Sequence, residues 1–161
     1  MRKVKVDLGC GWDERPNGWV MIDIDRKFQP DIVANVEQGI PLADGCADEV
    51  YMGHFLEHIR DVDAVTSEVN RIAAPGAIIR ILVPDVQHQM YHMPTHCQPW
   101  SRYWFENCMK LWELVSVEEV SDPEVLAVAR RNFHWVSDED AMLLFWNCRK
   151  ELRVVCRKRD A

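Results

Sequence analysis

The chain has 161 residues, 48% of them hydrophobic, which is enough for one domain with a substantial core and too few for two. Its formal net charge of −7 argues against broad affinity for nucleic acid, which needs basic side chains to displace counterions from phosphates. The longest apolar runs, such as AIIRILV at 77–83, are strand-length, far below the roughly 18–20 residues of a membrane span.

The opening MRKVKVDLGCG passes from basic residues directly into alternating Val4, Val6 and Leu8. It contains no apolar stretch of the secretory type, so a cytoplasmic location is expected. Residues 4–10 (VKVDLGC) read as a strand running into a glycine turn, and 19–24 (WVMIDI), 31–36 (DIVANV), 48–53 (DEVYMG) and 77–83 read as further strands. Val62, Val65, Val69 and Ile72 recur at i, i+3, i+7 and i+10, placing one apolar stripe on a helix that AAPG at 73–76 should end. Strands without hairpin dipeptides, followed by a helix and another strand, predict an α/β fold with a mostly parallel, wound sheet. Such sheets bind ligands beyond the carboxyl ends of their strands, where the strand order reverses. Gly9 to Gly11, Asp23 to Asp25, Asn35, Gly53 to His54 and Pro84 to Asp85 all fall at predicted strand ends.

After Asp85 the chain becomes dense in His, Trp and Met, and reads as a loop and helical cap rather than a second domain. Trp100, Tyr103, Trp104, Phe105 and Trp112 fit an amphipathic helix packed over the sheet, the commoner fate of such spacing, or an aromatic lid or dimer surface. Residues 151–156 (ELRVVC) read as the final strand, with 133–137 (FHWVS) a weaker strand before it. Across 149–161, six Lys or Arg face two acids, as expected of charges guarding an edge strand, or of a contact with an acidic partner. The six cysteines include no Cys-x-x-Cys pair, so neither a zinc knuckle nor a thioredoxin-type centre is written, and reduced thiols are expected.

DLGCG directly after a strand lets backbone approach a ligand closely, because glycine has no side chain and tolerates positive φ. A dinucleotide fingerprint would need a third glycine opening a helix, but that position is Glu14, and WDERPNG leaves room for little helix before the next strand. A ligand with an adenosine but no phosphate fits this turn better.

Four segments, VDLGCG, GWVMIDID, IPLADGCADEVYMGHFLEHI and RIAAPGAIIRILVPD, together resemble the class I S-adenosylmethionine-dependent methyltransferases in order and spacing, especially the short bacterial-type members. The resemblance covers residues 4–85. It implies a Rossmann-like sheet in one domain, with 1–85 as the cofactor-binding half, 86–161 as the substrate side and final strands, and a front end shortened before the first strand. It further implies S-adenosylmethionine as cofactor. Asp7, Gly9, Cys10 and Gly11 would wrap the methionine moiety, mainly through backbone. Asp23, with Ile24 beside it and Asp25 as a substitute, would accept hydrogen bonds from the ribose hydroxyls, a task suited to an acceptor-only carboxylate. Asn35 and Val36 would lie near the adenine, and Gly53 and His54 would border the amino-acid part and the methyl group.

HFLEH at 54–58 also spells the helix of an inverted zinc protease, but its place just after a buried strand of a cofactor fold speaks against that reading. The resemblance offers another metal reading, because small-RNA 2′-O-methyltransferases and some ubiquinone-pathway O-methyltransferases carry Glu-x-x-Glu-His here beside a divalent cation. This chain has His54, Glu57 and His58, with His88, His92 and His96 as completing ligands. Histidine in the first position would shift preference from magnesium toward zinc, manganese or iron. The plainer reading is that Glu57 and His58 only open a helix. His88, His92 and His96 keep a four-residue spacing, but Pro94 interrupts any helix that would align them. His54, Asp85 and His88 are the candidate catalytic groups by location, although methyl transfer needs a general base only when the acceptor must lose a proton. The expected activity is methyl transfer to an unidentified acceptor, metal-assisted O-methylation included. The alternative is a non-catalytic module of this fold acting through a protein partner, and a homodimer is a further expectation.

Overall fold

The computed structural model describes residues 3–12, 18–88, 92–132, 137 and 149–160. Seven strands form one sheet in the order β3-β2-β1-β4-β5-β7-β6. β1 (Lys5–Leu8), β2 (Trp19–Asp23), β3 (Ile32–Val33), β4 (Ala47–Gly53) and β5 (Ala73–Pro84) pair in parallel. β7 (Arg149–Arg157) inserts antiparallel between β5 and β6 (Glu113–Ser121). Val6, Leu8, Val50, Met52, Ile79, Ile81 and Val83 are all fully buried. These central strands are rich in buried apolar residues, as expected where a parallel sheet is covered on both faces. The strand order turns back between β1 and β4, which is where this architecture opens a crevice.

Helix α1 (Val62–Ile72) starts where Asp61 caps it, its carboxylate accepting from Ala64 N–H at 2.9 Å. Val65, Val69 and Ile72 are buried on its inner face, each stabilising the fold by roughly 1.5–3 kcal/mol. The helix ends at Ile72, as the AAPG segment predicts, but β5 already begins at Ala73, so AAPG lies within the strand expected only at 77–83. Helix α2 (Arg102–Asn107) is capped by Ser101 and sends Phe105 into the core beside Trp100 and Trp112, while Tyr103 stays 70% exposed. The aromatic segment therefore mainly packs. Helix α3 (Pro123–Asn132) follows Asp122, whose carboxylate accepts from Glu124 and Val125 N–H.

The structure departs from the sequence reading in several places. β3 is only two residues long because Asn35 Oδ1 accepts from Glu37 N–H at 3.1 Å and turns the chain into a 3-10 segment, Val36–Gln38. β6 lies within the stretch read as loop and helical cap. Its register shifts at Leu114/Ser116 and Val120/Ser121 break the two-residue alternation that would have marked it. β7 is an interior strand, so its charges do not guard an edge. Lys158 Nζ, just beyond it, donates to the carbonyls of Asn70 and Ala73 at 2.8 Å, and Arg149 lies 3.5 Å from Glu119. The weaker strand at 133–137 and Glu14 lie outside the described residues, apart from Ser137. Cys10, Cys46, Cys97, Cys108 and Cys156 are in no disulfide, and no described helix is long and apolar enough to cross a membrane.

Candidate active site

Two adjoining cavities open at the carboxyl ends of the parallel strands, and His54 and His58 line both. The first, of about 390 Å3, is built from the turns after β1, β2, β3 and β4. Gly9, Gly11, Asp23, Ile24, Asn35, Val36 and His54 line it, together with Phe28, Ala34, Glu37, Phe55 and Ile59. Asp7, Cys10 and Gly53 do not line it. Asp7 and Cys10 are buried behind the turn, and Gly53 ends the strand that leads into His54.

The glycine turn is tied to β2 by Gly9 N–H donating to Ile22 O at 2.8 Å. Gly9 has φ +69°, and a Cβ there would come within 2.2 Å of the Phe55 ring, so no larger residue fits. Gly11, at φ +52°, would place a Cβ in open space, leaving backbone exposed to a ligand. Asp23 braces the same turn, one carboxylate oxygen accepting from Gly11 N–H at 3.0 Å and the other from Asp25 N–H at 2.9 Å. A carboxylate has about four acceptor positions, so Asp23 retains capacity for ligand hydroxyls. Asp25 is engaged elsewhere: it accepts from Lys27 N–H and pairs with the Lys27 ammonium at 2.7 Å, which lowers its pKa. Asn35 caps its turn while lining the cavity, and Ile24, 65% exposed, contributes an apolar rim opposite Phe28. A carboxylate with spare acceptor positions, open glycine backbone and apolar walls would fit the adenosine and amino-acid parts of S-adenosylmethionine.

The second cavity, of about 280 Å3, is lined by His54, Glu57, His58, Pro84, Met93, His96, Lys150 and Glu151. His54 follows β4 with φ +48°, a conformation that costs a non-glycine residue about 1–3 kcal/mol, and its N–H is held by Leu82 O at 2.8 Å. Its ring lies between two carboxylates, Nδ1 at 3.4 Å from Glu57 and Nε2 at 3.3 Å from Glu151. Glu57 raises the imidazole pKa above its ordinary value; burial opposes this, and Glu151 reinforces it. Glu151 comes from β7 and is steadied by Arg153 Nε at 2.9 Å. Nothing in the local sequence foretold its place here, because β7 reaches the site only through pairing with β5, where Glu151 faces Pro84.

Glu57 is 1% exposed, and neither carboxylate oxygen has a hydrogen-bond donor in good alignment. Ligand atoms of Glu57, His58 and His96 converge within 4.8 Å of one another. His58 Nδ1 lies 3.2 Å from Thr95 O, and because a carbonyl only accepts, Nδ1 must carry the proton. In the neutral ring this leaves Nε2 as the electron-pair donor, the tautomer that metal-binding histidines adopt. His96, rather than His54, thus joins Glu57 and His58, because the His54 ring is held between Glu57 and Glu151. A buried carboxylate with no aligned hydrogen-bond donor and only the His54 ring near it at 3.4 Å, beside the imidazoles of His58 and His96, fits a divalent cation.

Asp85 and His88, the other candidate catalytic groups, line neither cavity. Asp85 is 1% exposed and accepts from Gln87 N–H at 2.8 Å, and burial raises its pKa. His88 Nε2 lies 3.4 Å from Asp122, linking the loop after β5 to the start of α3. His92 is exposed and is not part of the converging group.

Residues 6–81 match the family model of a methyltransferase domain. No curated protein matches the chain. Among solved structures, an S-adenosylmethionine-dependent methyltransferase from Archaeoglobus fulgidus is similar at 18% identity, with a TM-score of 0.70 over 97% of this chain and 86% of that one. A putative methyltransferase from Haloferax volcanii, solved in complex with the Trm112 methyltransferase activator, is 17% identical, with a TM-score of 0.73 over 99% of this chain and 83% of that one. The [4+2]-cyclase SpnF is 14% identical, with a TM-score of 0.71 over 99% of this chain and 76% of that one. With its sheet order, the cavity at its switch point and a methyltransferase-domain match over residues 6–81, this chain has the fold of the class I S-adenosylmethionine-dependent methyltransferases.

Proposed function

We propose that the chain transfers a methyl group from S-adenosylmethionine, bound in the larger cavity, to a small acceptor held in the adjoining one. The observation that carries this reading is the junction: His54 and His58 line both cavities, where donor and acceptor would have to meet. Asp23 accepts from the ribose hydroxyls, the Gly9–Gly11 backbone approaches the amino-acid part, and Ile24 and Phe28 flank the adenine. The sulfonium is already a reactive donor, so alignment of the acceptor with the methyl group supplies much of the rate. His54, held between Glu57 and Glu151, can take up or hold a proton at the junction.

The finer reading is metal-assisted methylation of an oxygen. Glu57, His58 and His96 would hold a divalent cation, and when bound such an ion lowers the pKa of an acceptor hydroxyl. Calorimetric titration with S-adenosylhomocysteine tests the donor site: affinity in the micromolar range, about −8 kcal/mol, is expected, and no binding at millimolar ligand would remove the reading. Turnover with small hydroxyl acceptors, with and without added divalent ions, tests the remainder.

A second reading, a module of this fold that acts through a protein partner, draws on the neighbour solved with an activator protein and on the neighbour that is a cyclase. A shared fold does not fix the reaction. Cofactor binding without turnover on any acceptor, joined to stable association with a second protein or a second copy of this chain, would favour it.

A further inference from the structure

The residues that converge beside the acceptor cavity come from two separate stretches. Glu57 and His58 sit on the 3-10 turn Leu56–His58 that follows β4, whereas His96 arrives on the chain returning from β5 toward Trp100. That return is pinned at its base by Val86 N–H donating to Trp100 O at 2.9 Å, with Trp100 buried. Its outer part has little apolar anchorage: His92, Met93, Pro94, Thr95 and Cys97 are exposed. What fastens it to the 3-10 turn is polar. Cys97 N–H donates to Glu57 O at 2.6 Å, His58 Nδ1 donates to Thr95 O, and the His58 and His96 rings meet edge to face at 4.8 Å. Met93 and His96 are also walls of the acceptor cavity. A segment held by few buried contacts opens locally at low free-energy cost, so one strong added bond would dominate its order.

We infer that an ion bound by Glu57, His58 and His96 acts as a clasp, fastening residues 92–97 to the 3-10 turn and so completing the acceptor-cavity wall. This rests on the metal-assisted reading above and adds a structural role to the ion. Two imidazoles and one carboxylate form a donor set for zinc-class ions rather than magnesium or calcium, which favour oxygen ligands. Three protein ligands leave at least one coordination position for an acceptor oxygen. The clasp therefore sets an order of events: the ion binds first, and the acceptor enters a cavity whose wall is then fixed. The buried Glu57 carboxylate, whose oxygens make no aligned hydrogen bond, is the group that gains most when the ion arrives.

The test uses chelator-stripped full-length protein and cobalt(II) alone as the probe, followed by visible absorption and by amide hydrogen exchange. The clasp predicts uptake of about one equivalent of cobalt and slowing of exchange at residues 92–97 by about fivefold or more. His96→Ala, with His96→Gln as a second variant in case the first folds poorly, should weaken cobalt binding at least about tenfold and abolish the slowing. His92→Ala, four residues away and outside the convergent group, should change neither. No uptake, uptake insensitive to both His96 variants, or uptake without slowed exchange would each overturn the clasp. S-adenosylhomocysteine titration of the same stripped protein separates the two readings: cofactor binding without cobalt uptake removes the clasp alone, and cobalt uptake without cofactor binding removes the methyl-transfer reading alone.

Discussion

The larger cavity is lined by backbone turns and many apolar side chains, whereas six of the eight residues lining the smaller one are ionisable, drawn from residues 54–58, 96 and 150–151. In the first, the chain's path makes the site; glycines and one carboxylate at consecutive strand ends suffice. In the second, the site exists only once distant segments have met. The first should therefore fail through backbone changes and the second through loss of charge, and substitutions can separate the two modes.

The largest effect is expected at Gly9. Replacing it with alanine forces a side chain into positive φ and against the Phe55 ring, and should lower stability by about 2–5 kcal/mol, seen as a reduced denaturant midpoint. Asp23→Asn comes next. The amide keeps an acceptor for the turn but loses the charge, so S-adenosylhomocysteine affinity should fall by about 1.5–3 kcal/mol in calorimetry, while Asp25→Asn, removing a group turned toward Lys27, should leave it nearly unchanged. In the acceptor cavity, removing one partner of a well-paired buried charge would destabilise by about 3–5 kcal/mol. Glu57 has no aligned hydrogen-bond donor and only a long contact, 3.4 Å, with His54 Nδ1, so Glu57→Gln should cost less than about 1 kcal/mol in a thermal melt of metal-free protein. A large loss there would mean that Glu57 is a structural carboxylate and that the contrast between the cavities is false.

The smallest effect concerns pH. Glu68 accepts from Ile40 N–H and from Arg71, whose guanidinium also binds the carbonyls of Ile40 and Leu42, bracing the turn before β4. Arg71 holds the Glu68 carboxyl at about 2, below its ordinary 4.5. A depressed folded-state pKa contributes stability above the unfolded value and loses it as pH falls through the folded one. The stability difference between the wild type and Arg71→Ala should therefore be full at pH 5 and shrink toward pH 2, measured by urea unfolding, with a small amplitude because the pair is partly exposed.

This contrast also explains what the sequence disclosed. Gly9, Gly11, Asp23 and Asn35 could be read because each follows a strand with recognisable alternation, and strand ends determine where they point. Phe28, Phe55 and Glu37 line the same cavity without such a sign; an aromatic residue in a short turn looks the same whether it packs or flanks a ligand. Asp85 sits at a strand end as well, yet its carboxylate turns back onto Gln87 N–H, a local hydrogen bond that position alone does not reveal. Glu151 was illegible as a partner of His54, and His96 was not distinguishable from His88 and His92 as a ligand beside Glu57, because both proximities depend on tertiary structure: the first on antiparallel pairing of β7 with β5, the second on the return of the chain to Trp100. β6 escaped because two register shifts erase its alternation, so the sheet's outer edge was read as irregular chain.

The place of β7 bears on how the molecule is assembled during synthesis. β6 emerges earlier, yet in the finished sheet β7 separates it from β5, so the inner-edge pairing of residues 113–121 must wait until residues 149–157 have been made. The five parallel strands and their crevice can close before then, whereas the second of the two carboxylates that hold His54, Glu151, arrives only with β7. The larger cavity would thus take shape on the nascent chain before the smaller one is complete.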